Sequence, residues 1–387
     1  MQRQATFCGR DGTFEKCGSE RGLCSTRRAL VALGALFLLL PATILAAYVL
    51  PSPVALMAPG PVEPLDSLIR VESSSYEPSG HLYLTTVRLI VQPRLGQYLL
   101  AQLQPDVEVV ARGEALPSFL SHEEYRKLSQ RLLEESQSVA QVVALRQAKC
   151  AVKVGNPRVT VVSTAPGTPA AEQLRPGDEI LSADGEQVDT TTDLVAIVHQ
   201  RVAGEPVKLN LLRNHEQLTV TLPTLPGPLD SEGPVLGVVA VTTGLDFKSP
   251  MDIKIESGPV AGGPSAGLMY ALGVYNAVVT EDITRGHRIA GTGTLRLNGM
   301  VGPVDGVELK VRAAEQAGAD YFLVPVENAA VARAAASTIK IVPVGSFQEA
   351  LNAVRQIGVD TSHNPRVVPA RTDLTLASFR PLPLPAK

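Results

Sequence analysis

The sequence predicts an α+β protein behind a single N-terminal transmembrane helix. Three observations carry that reading. A 22-residue uncharged run, Ala29 to Leu50, stands near the start of the chain. Beyond it, short β-branched segments alternate with helical patterns. Late in the chain, a Gly-Pro-Ser-Ala-Gly segment opens an apolar helix, and a second helix follows with a lysine on its apolar side.

Composition narrows the function classes. The 387 residues are 45% hydrophobic and 19% charged, which excludes a mainly disordered chain or a coiled coil. Two to three domains fit that length. The net charge of -3 implies no basic face for nucleic acid. With no Trp and 4% aromatics, a base-stacking platform is not expected either. The mean hydropathy of +0.12 is high for a soluble protein, and part of that excess is concentrated in the apolar run.

About 20 apolar residues span the hydrocarbon core of a bilayer, whereas the apolar region of a cleaved signal peptide is only about 7–15 residues. Residues 29–50 therefore read as an uncleaved anchor, with cleavage after Ala47 or Ala58 as the alternative. Arg3, Arg10, Lys16, Arg21, Arg27 and Arg28 precede it, and the first charge after it is Glu63. The positive-inside rule places residues 1–28 in the cytosol and the rest outside the cell membrane. Cys8, Cys17 and Cys24 lie in that tail with no histidine and no Cys-x-x-Cys pair, so they read as tail thiols rather than a metal site. Cys150 stands alone on the other side, so no disulfide framework exists there.

Residues 51–65 hold five prolines and read as a stiff spacer. Gly80 to Val91 alternates like a strand, and His122 to Ala148 has a helical stripe. Residues 151–222 are short strands separated by turns: a strand at Arg158, a turn at Pro166-Gly167, a second at Pro176-Gly177-Asp178, and a hairpin turn at Asp184-Gly185. A helix from Asp193 to Val202, capped near Thr192, precedes two closing strands. This order, with the stretch TAPGTPAAEQLRPGDEILSADGEQV, resembles a PDZ domain of the bacterial protease-associated kind, covering residues 149–224. The resemblance implies a groove that takes an extended peptide as an added strand, with Gly155 and Val159 as peptide-binding positions. A Pro/Gly linker leads to residues 233–358, and the tail 359–387 is expected to be disordered.

The chemistry is carried by Gly262-Gly263-Pro264-Ser265-Ala266-Gly267. Proline suits a first helical turn, and a helix N-terminus offers free amides to an oxyanion. Ser265 alone reads equally as an N-cap serine. A nucleophilic serine needs a base. His287 is the one histidine in residues 233–358, and it sits in a polar loop expected to face water, so a Ser-His-Asp triad is poorly supported. Lys310 falls in the apolar sector of the helix Val307 to Ala317, where burial lowers an amine's pKa. Alone, it reads equally as a snorkelling lysine.

Together these segments, with Thr292-Gly-Thr-Leu and Gly299-Met-Val-Gly-Pro-Val-Asp-Gly306-Val-Glu-Leu-Lys310, resemble the proteolytic domain of Lon proteases. The closer likeness is to the membrane-anchored PDZ-plus-Lon proteins of bacteria, called YlbL-like. The resemblance implies Ser265 as nucleophile, Lys310 as general base, Thr292 orienting the amine and the Ala266 amide as oxyanion donor. It also reaches the GHLYLTT and LLEESQSVAQVVALRQA segments, so residues 69–148 would complete the protease domain and the PDZ would interrupt it. The chain departs from Lon enzymes in lacking G-x-x-x-x-G-K-[ST], in Asp305 where a glycine is usual, and in having no histidine in Met251 to Glu256.

The expectation is an ATP-independent, membrane-anchored serine endopeptidase without cofactor or metal. It would act on extracytoplasmic polypeptides and, by family resemblance, assemble as a homo-hexamer. The alternative is a PDZ peptide-binding scaffold whose Lon-like domain is inactive or only cleaves itself.

Overall fold

The computed structural model describes residues 43, 45, 47–71, 78–111, 122–227, 233–256, 263–279 and 281–357. The expected cytosolic tail, most of the 29–50 run and the tail 359–387 lie outside the described residues. Among the described residues, no helix is long and apolar enough to cross a membrane.

The first strand falls where a spacer is expected. Strand β1 is Val54–Pro64, followed by a 3-10 turn and β2 (Ile69–Val71). β3 (His81–Ile90) pairs antiparallel with β1 along its length. Helix α1 (Leu95–Ala101) leads to β4 (Glu108–Ala111), which pairs with β1 only from Val54 to Met57. That register explains how a proline-rich segment enters a sheet. Prolines lack an N–H and are confined to edges and bulges. Pro59, Pro61 and Pro64 all lie beyond the reach of β4, and the pairing with β3 shifts register between Pro59 and Val62. The spacer reading of 51–65 fails because proline content alone does not reveal which edge of a strand is paired.

Helix α2 (His122–Gln147) crosses next. Its second half, from Glu135 to Leu145, is buried on nearly all sides, so it is a core helix rather than an amphipathic stripe. After β5 (Lys153–Val154) a separate module follows: β6 (Arg158–Thr164), α3 (Pro169–Gln173), β7 (Glu179–Ala183), β8 (Glu186–Gln187), α4 (Thr191–Val198), β9 (Pro206–Arg213), β10 (Glu216–Pro223) and β11 (Val238–Thr243). Its sheet runs β10-β9-β7-β6-β11 over its own apolar core, including Val159, Ile180, Leu209 and Leu211. The cap of α4 is Thr190 rather than Thr192, because Thr190 and Asp193 complete a reciprocal capping box.

The chain then returns to the first body through β12 (Phe247–Lys248), β13 (Ile253–Ile255), α5 (Gly267–Val278), β14 (Arg288–Gly291), β15 (Thr294–Leu295), β16 (Val301–Gly302), α6 (Val307–Gln316), β17 (Tyr321–Pro325), α7 (Ala329–Ala335), β18 (Lys340–Val344) and α8 (Phe347–Ile357). The main sheet has the order β18-β17-β14-β3-β1-β4. Residues on both sides of the inserted module thus share one sheet, and one core joins Leu82, Leu84 and Val139 to Leu268, Leu272, Leu323 and Phe347. The four strands from β18 to β3 are parallel, and β1 turns antiparallel.

A loop staple closes the start of β3 against the start of β14. Asp282 accepts from the Ser79 amide at 2.9 Å and the Thr284 hydroxyl at 2.6 Å. Burial pushes its carboxyl up, but the Ser79 and Thr284 hydrogen bonds outweigh that and hold it at about 2.

Gly60 separates a strand from a spacer experimentally. A Cβ there would meet the Thr86 hydroxyl oxygen and carbonyl oxygen closer than side chains tolerate. Gly60→Val should therefore lower the unfolding free energy by about 1–3 kcal/mol in denaturant titration; an unchanged midpoint would mean that 54–64 is not packed on β3.

Candidate active site

The site forms where the C-terminal end of β14 meets the start of α5. Residues Pro264–Ala266 form a 3-10 turn that continues into α5. Glycines let this turn sit against neighbouring chain: a Cβ on Gly267 would stand 3.0 Å from Leu295 Cβ and 3.1 Å from Ser136 Oγ. After β14, Thr292 and Gly293 cross the turn. The Ser265 carbonyl accepts from the Thr292 hydroxyl at 3.0 Å and from the Gly293 amide at 2.8 Å. The Leu268 amide returns a bond to the Gly293 carbonyl at 3.1 Å. Gly293 has φ +156, a conformation that side chains rarely adopt.

Lys310 enters from α6. The helix begins at Gly306 in the left-handed region, with no side-chain cap. Asp305 is therefore not the cap of this helix; its charge acts on His199 of the inserted module, opposing burial, which holds His199 below the usual imidazole range. One turn into α6, Lys310 is only 4% exposed, and its ammonium nitrogen donates to the Thr292 hydroxyl at 3.3 Å. Thr292, 1% exposed, thus accepts from Lys310 and donates to the backbone of Ser265. A half-buried serine at a helix start, next to a buried amine oriented by a hydroxyl, can do nucleophile-and-base chemistry.

Ser265, Lys310 and Thr292 are therefore brought to one place. Three other expectations need correction. The Ala266 amide donates to the Gly263 carbonyl at 3.2 Å, closing the 3-10 turn, so it is not free to hold an oxyanion. Val159 is fully buried in β6, whose two edges are taken by β7 and β11, so no peptide can add there. The Gly155 amide already donates to Asp246 at 2.7 Å. Among the described residues, β11 ends that sheet, beside α4, and offers the edge that β6 lacks. It comes after the 149–224 segment in sequence, so strand order within that segment could not reveal it.

His287 is buried rather than solvent-facing, packed edge-on against Tyr321 at 5.6 Å. It stands at the start of β14, while Thr292 follows its end. With the four strand residues between them, they stand roughly 16 Å apart along the strand. His287 thus stands at the far end of β14 from the Ser265 turn.

Two contacts that sequence reasoning missed join the inserted module to the site. Glu135 of α2 accepts from the Thr191 hydroxyl at 2.9 Å and amide at 3.2 Å, at the start of α4. Its neighbour Ser136 donates to the Pro264 carbonyl at 3.3 Å. Arg296, just past β15, donates to Asp193 of α4 at 2.5 Å. Both ends of α4's first turn are thus tied to elements that hold the serine turn. The only signal in the sequence was the Glu-Glu-Ser within a long helix.

Residues 138–224 match the PDZ domain family, and residues 244–356 match the Lon protease (S16) C-terminal proteolytic domain. The chain combines a PDZ domain with a Lon-type proteolytic domain. It is 35% identical over 127 residues to Lon protease 2 of Bacillus subtilis, covering 32% of this chain and 23% of that protein. It is 34% identical over 130 residues to the archaeal Lon protease of Archaeoglobus fulgidus, covering 32% and 20%. The chain thus spans less than a quarter of either relative's length. Among solved structures, the PDZ domain of an SdrC-like protein from Listeria monocytogenes is 26% identical and covers 21% of this chain and 86% of that one, with a TM-score of 0.20. A solution structure from Geobacillus thermodenitrificans is 33% identical over 21% of this chain and 93% of its own, also with a TM-score of 0.20.

Burial pushes the Glu135 carboxyl up, against the Thr242 and Thr191 hydrogen bonds that lower it. A raised carboxyl contributes stability that is present below its unfolded pKa and is lost as pH rises through its folded value. Glu135→Gln keeps an acceptor for Thr191 and removes the titration. The difference in melting temperature between variant and parent should move in the variant's favour as pH rises from about 4 to 8; a pH-independent difference would contradict the assignment.

Proposed function

We propose that the chain is a serine endopeptidase of the Lon type, anchored in the cell membrane by residues 29–50, with its protease and PDZ domains outside the cytosol. The carrying observation is the Lys310–Thr292–Ser265 chain of hydrogen bonds at the start of α5. In this reading the neutral Lys310 amine takes the proton of the Ser265 hydroxyl as Oγ attacks a peptide carbonyl. The proton then passes to the leaving amine as the acyl-enzyme forms. The same amine activates the water that releases the second product and regenerates Ser265. No step consumes a nucleotide, and the sequence carries no Walker A segment, so the peptide cleavage is proposed to be ATP-independent.

The PDZ domain would capture unfolded or C-terminal segments of extracytoplasmic polypeptides, as a strand added along β11. The ties from α4 to Glu135 and Arg296 would keep that edge at a set position relative to Ser265. Assembly into a hexamer is part of the same proposal, on family resemblance.

Ser265→Ala and Lys310→Gln should each lower kcat/KM on an unfolded protein substrate by about 10³-fold or more. A fluorophosphonate probe should label Ser265 in the parent and not in Ser265→Ala. Full-rate cleavage by Lys310→Gln would sink the dyad, and a parent that neither cleaves nor labels would leave the PDZ as the working part. Thr292 touches the base rather than the substrate. Thr292→Val should reduce kcat, by up to about 100-fold, and shift the pH profile while KM holds, with Thr292→Ser restoring most of the rate. Equal loss in the Ser variant would make Thr292 a packing residue only.

A further inference from the structure

Among the described residues, seven of the thirteen exposed large apolar side chains come from two neighbouring segments. Leu45, Tyr48, Val49 and Leu50 stand at the end of the 29–50 run, each at least half exposed. Leu99 and Leu100 on α1 are also about half exposed, and Leu103 just beyond it is 80% exposed. Single exposed leucines are ordinary, but a contiguous apolar patch marks a contact surface.

The two segments are joined where residues 48–52 meet residues 93–95. The Leu95 amide donates to the Leu50 carbonyl at 2.9 Å, and the Ser52 amide to the Pro93 carbonyl at 2.8 Å. Arg94 donates to the Tyr48 carbonyl at 2.6 Å and stacks over the Tyr48 ring at 4.7 Å. Asp106, beyond the end of α1, accepts from Arg312 of α6 at 3.1 Å. The end of the apolar run and α1 therefore form one apolar surface with an aromatic and a cation at its edge.

We infer that this surface lies on the bilayer, with Leu99, Leu100 and Leu103 buried at the boundary between headgroups and acyl chains beside the point where the 29–50 run leaves it. The occupant is lipid rather than protein because the patch continues a segment long enough to span the hydrocarbon core. Tyrosine and arginine at that edge suit the interface, where an amphipathic ring and a snorkelling cation reach the headgroups. The consequence is mechanical. Arg312, two residues after Lys310, donates to the Pro105 carbonyl at 2.9 Å as well as to Asp106. The catalytic helix is thus stapled to the membrane-facing loop, which sets the active site at a fixed height above the bilayer.

This inference rests on the anchor proposed above, and the test separates the two. The chain contains no Trp, so single-tryptophan variants of the full protein report from one place. Leu103→Trp, Leu36→Trp in the apolar run and Val202→Trp on the PDZ domain are reconstituted in phosphatidylcholine vesicles with and without brominated acyl chains. Leu103→Trp should lose emission with brominated lipid and Val202→Trp should not. Quenching at Leu36→Trp without quenching at Leu103→Trp overturns the inference and keeps the anchor. No quenching at either position overturns both. A blue-shifted Leu103→Trp that bromine does not quench means that another copy of the chain covers the patch, which also overturns it.

Discussion

The carbonyl of Ser265 is the point on which the protease body turns. It accepts from the Thr292 hydroxyl and the Gly293 amide, and through those two bonds the start of α5 is fixed to the end of β14. Neither bond uses the serine's own hydroxyl. Because Thr292 also receives Lys310, the same few atoms place the Ser265 backbone and the Lys310 amine. Satisfied polar groups in a dry site rigidify it, whereas an unpaired one there is costly. The arrangement therefore specifies one geometry, and the surrounding glycines permit the close approach it requires.

That geometry depends on chain segments far apart in sequence. The strands beneath α6 are β1 and β3, from residues 54–90, while the residues of the site come from 265–310. Gly306, at the start of the lysine helix, packs so closely on Val87 of β3 that a Cβ would stand 3.0 Å away. The inserted PDZ domain leaves this body at the end of α2 and returns to it at β12. It is not a loose appendage, because Glu135 and Arg296 hold the first turn of α4. A buried carboxylate and a short ion pair are poor sources of net stability, but they are strict about position. Their use between two modules fits a joint that sets relative placement.

Much of the site was legible in the sequence because its parts are local. The glycine-proline-serine start of an apolar helix and a lysine in an apolar sector are patterns within single elements. Local patterns also suffice for β3, α2, α6 and the hairpins of the PDZ domain. What was not legible involved pairing. Residues 54–64 look like a spacer until β4 is seen to stop at Met57. Val159 looks like a binding edge until β11 is seen to occupy it. His287 looks solvent-facing until Tyr321 covers it.

The sequence by itself determined the candidates, the Ser265 hydroxyl and the Lys310 amine, and the helices on which they ride, since periodicity and turn residues act over a few positions. Tertiary structure alone decided which strand edges are free, which amides are already spent, and what joins the two modules. Those depend on partners distant in the chain, and a hydrogen-bonding group reveals nothing of its partner until the chain has folded around it.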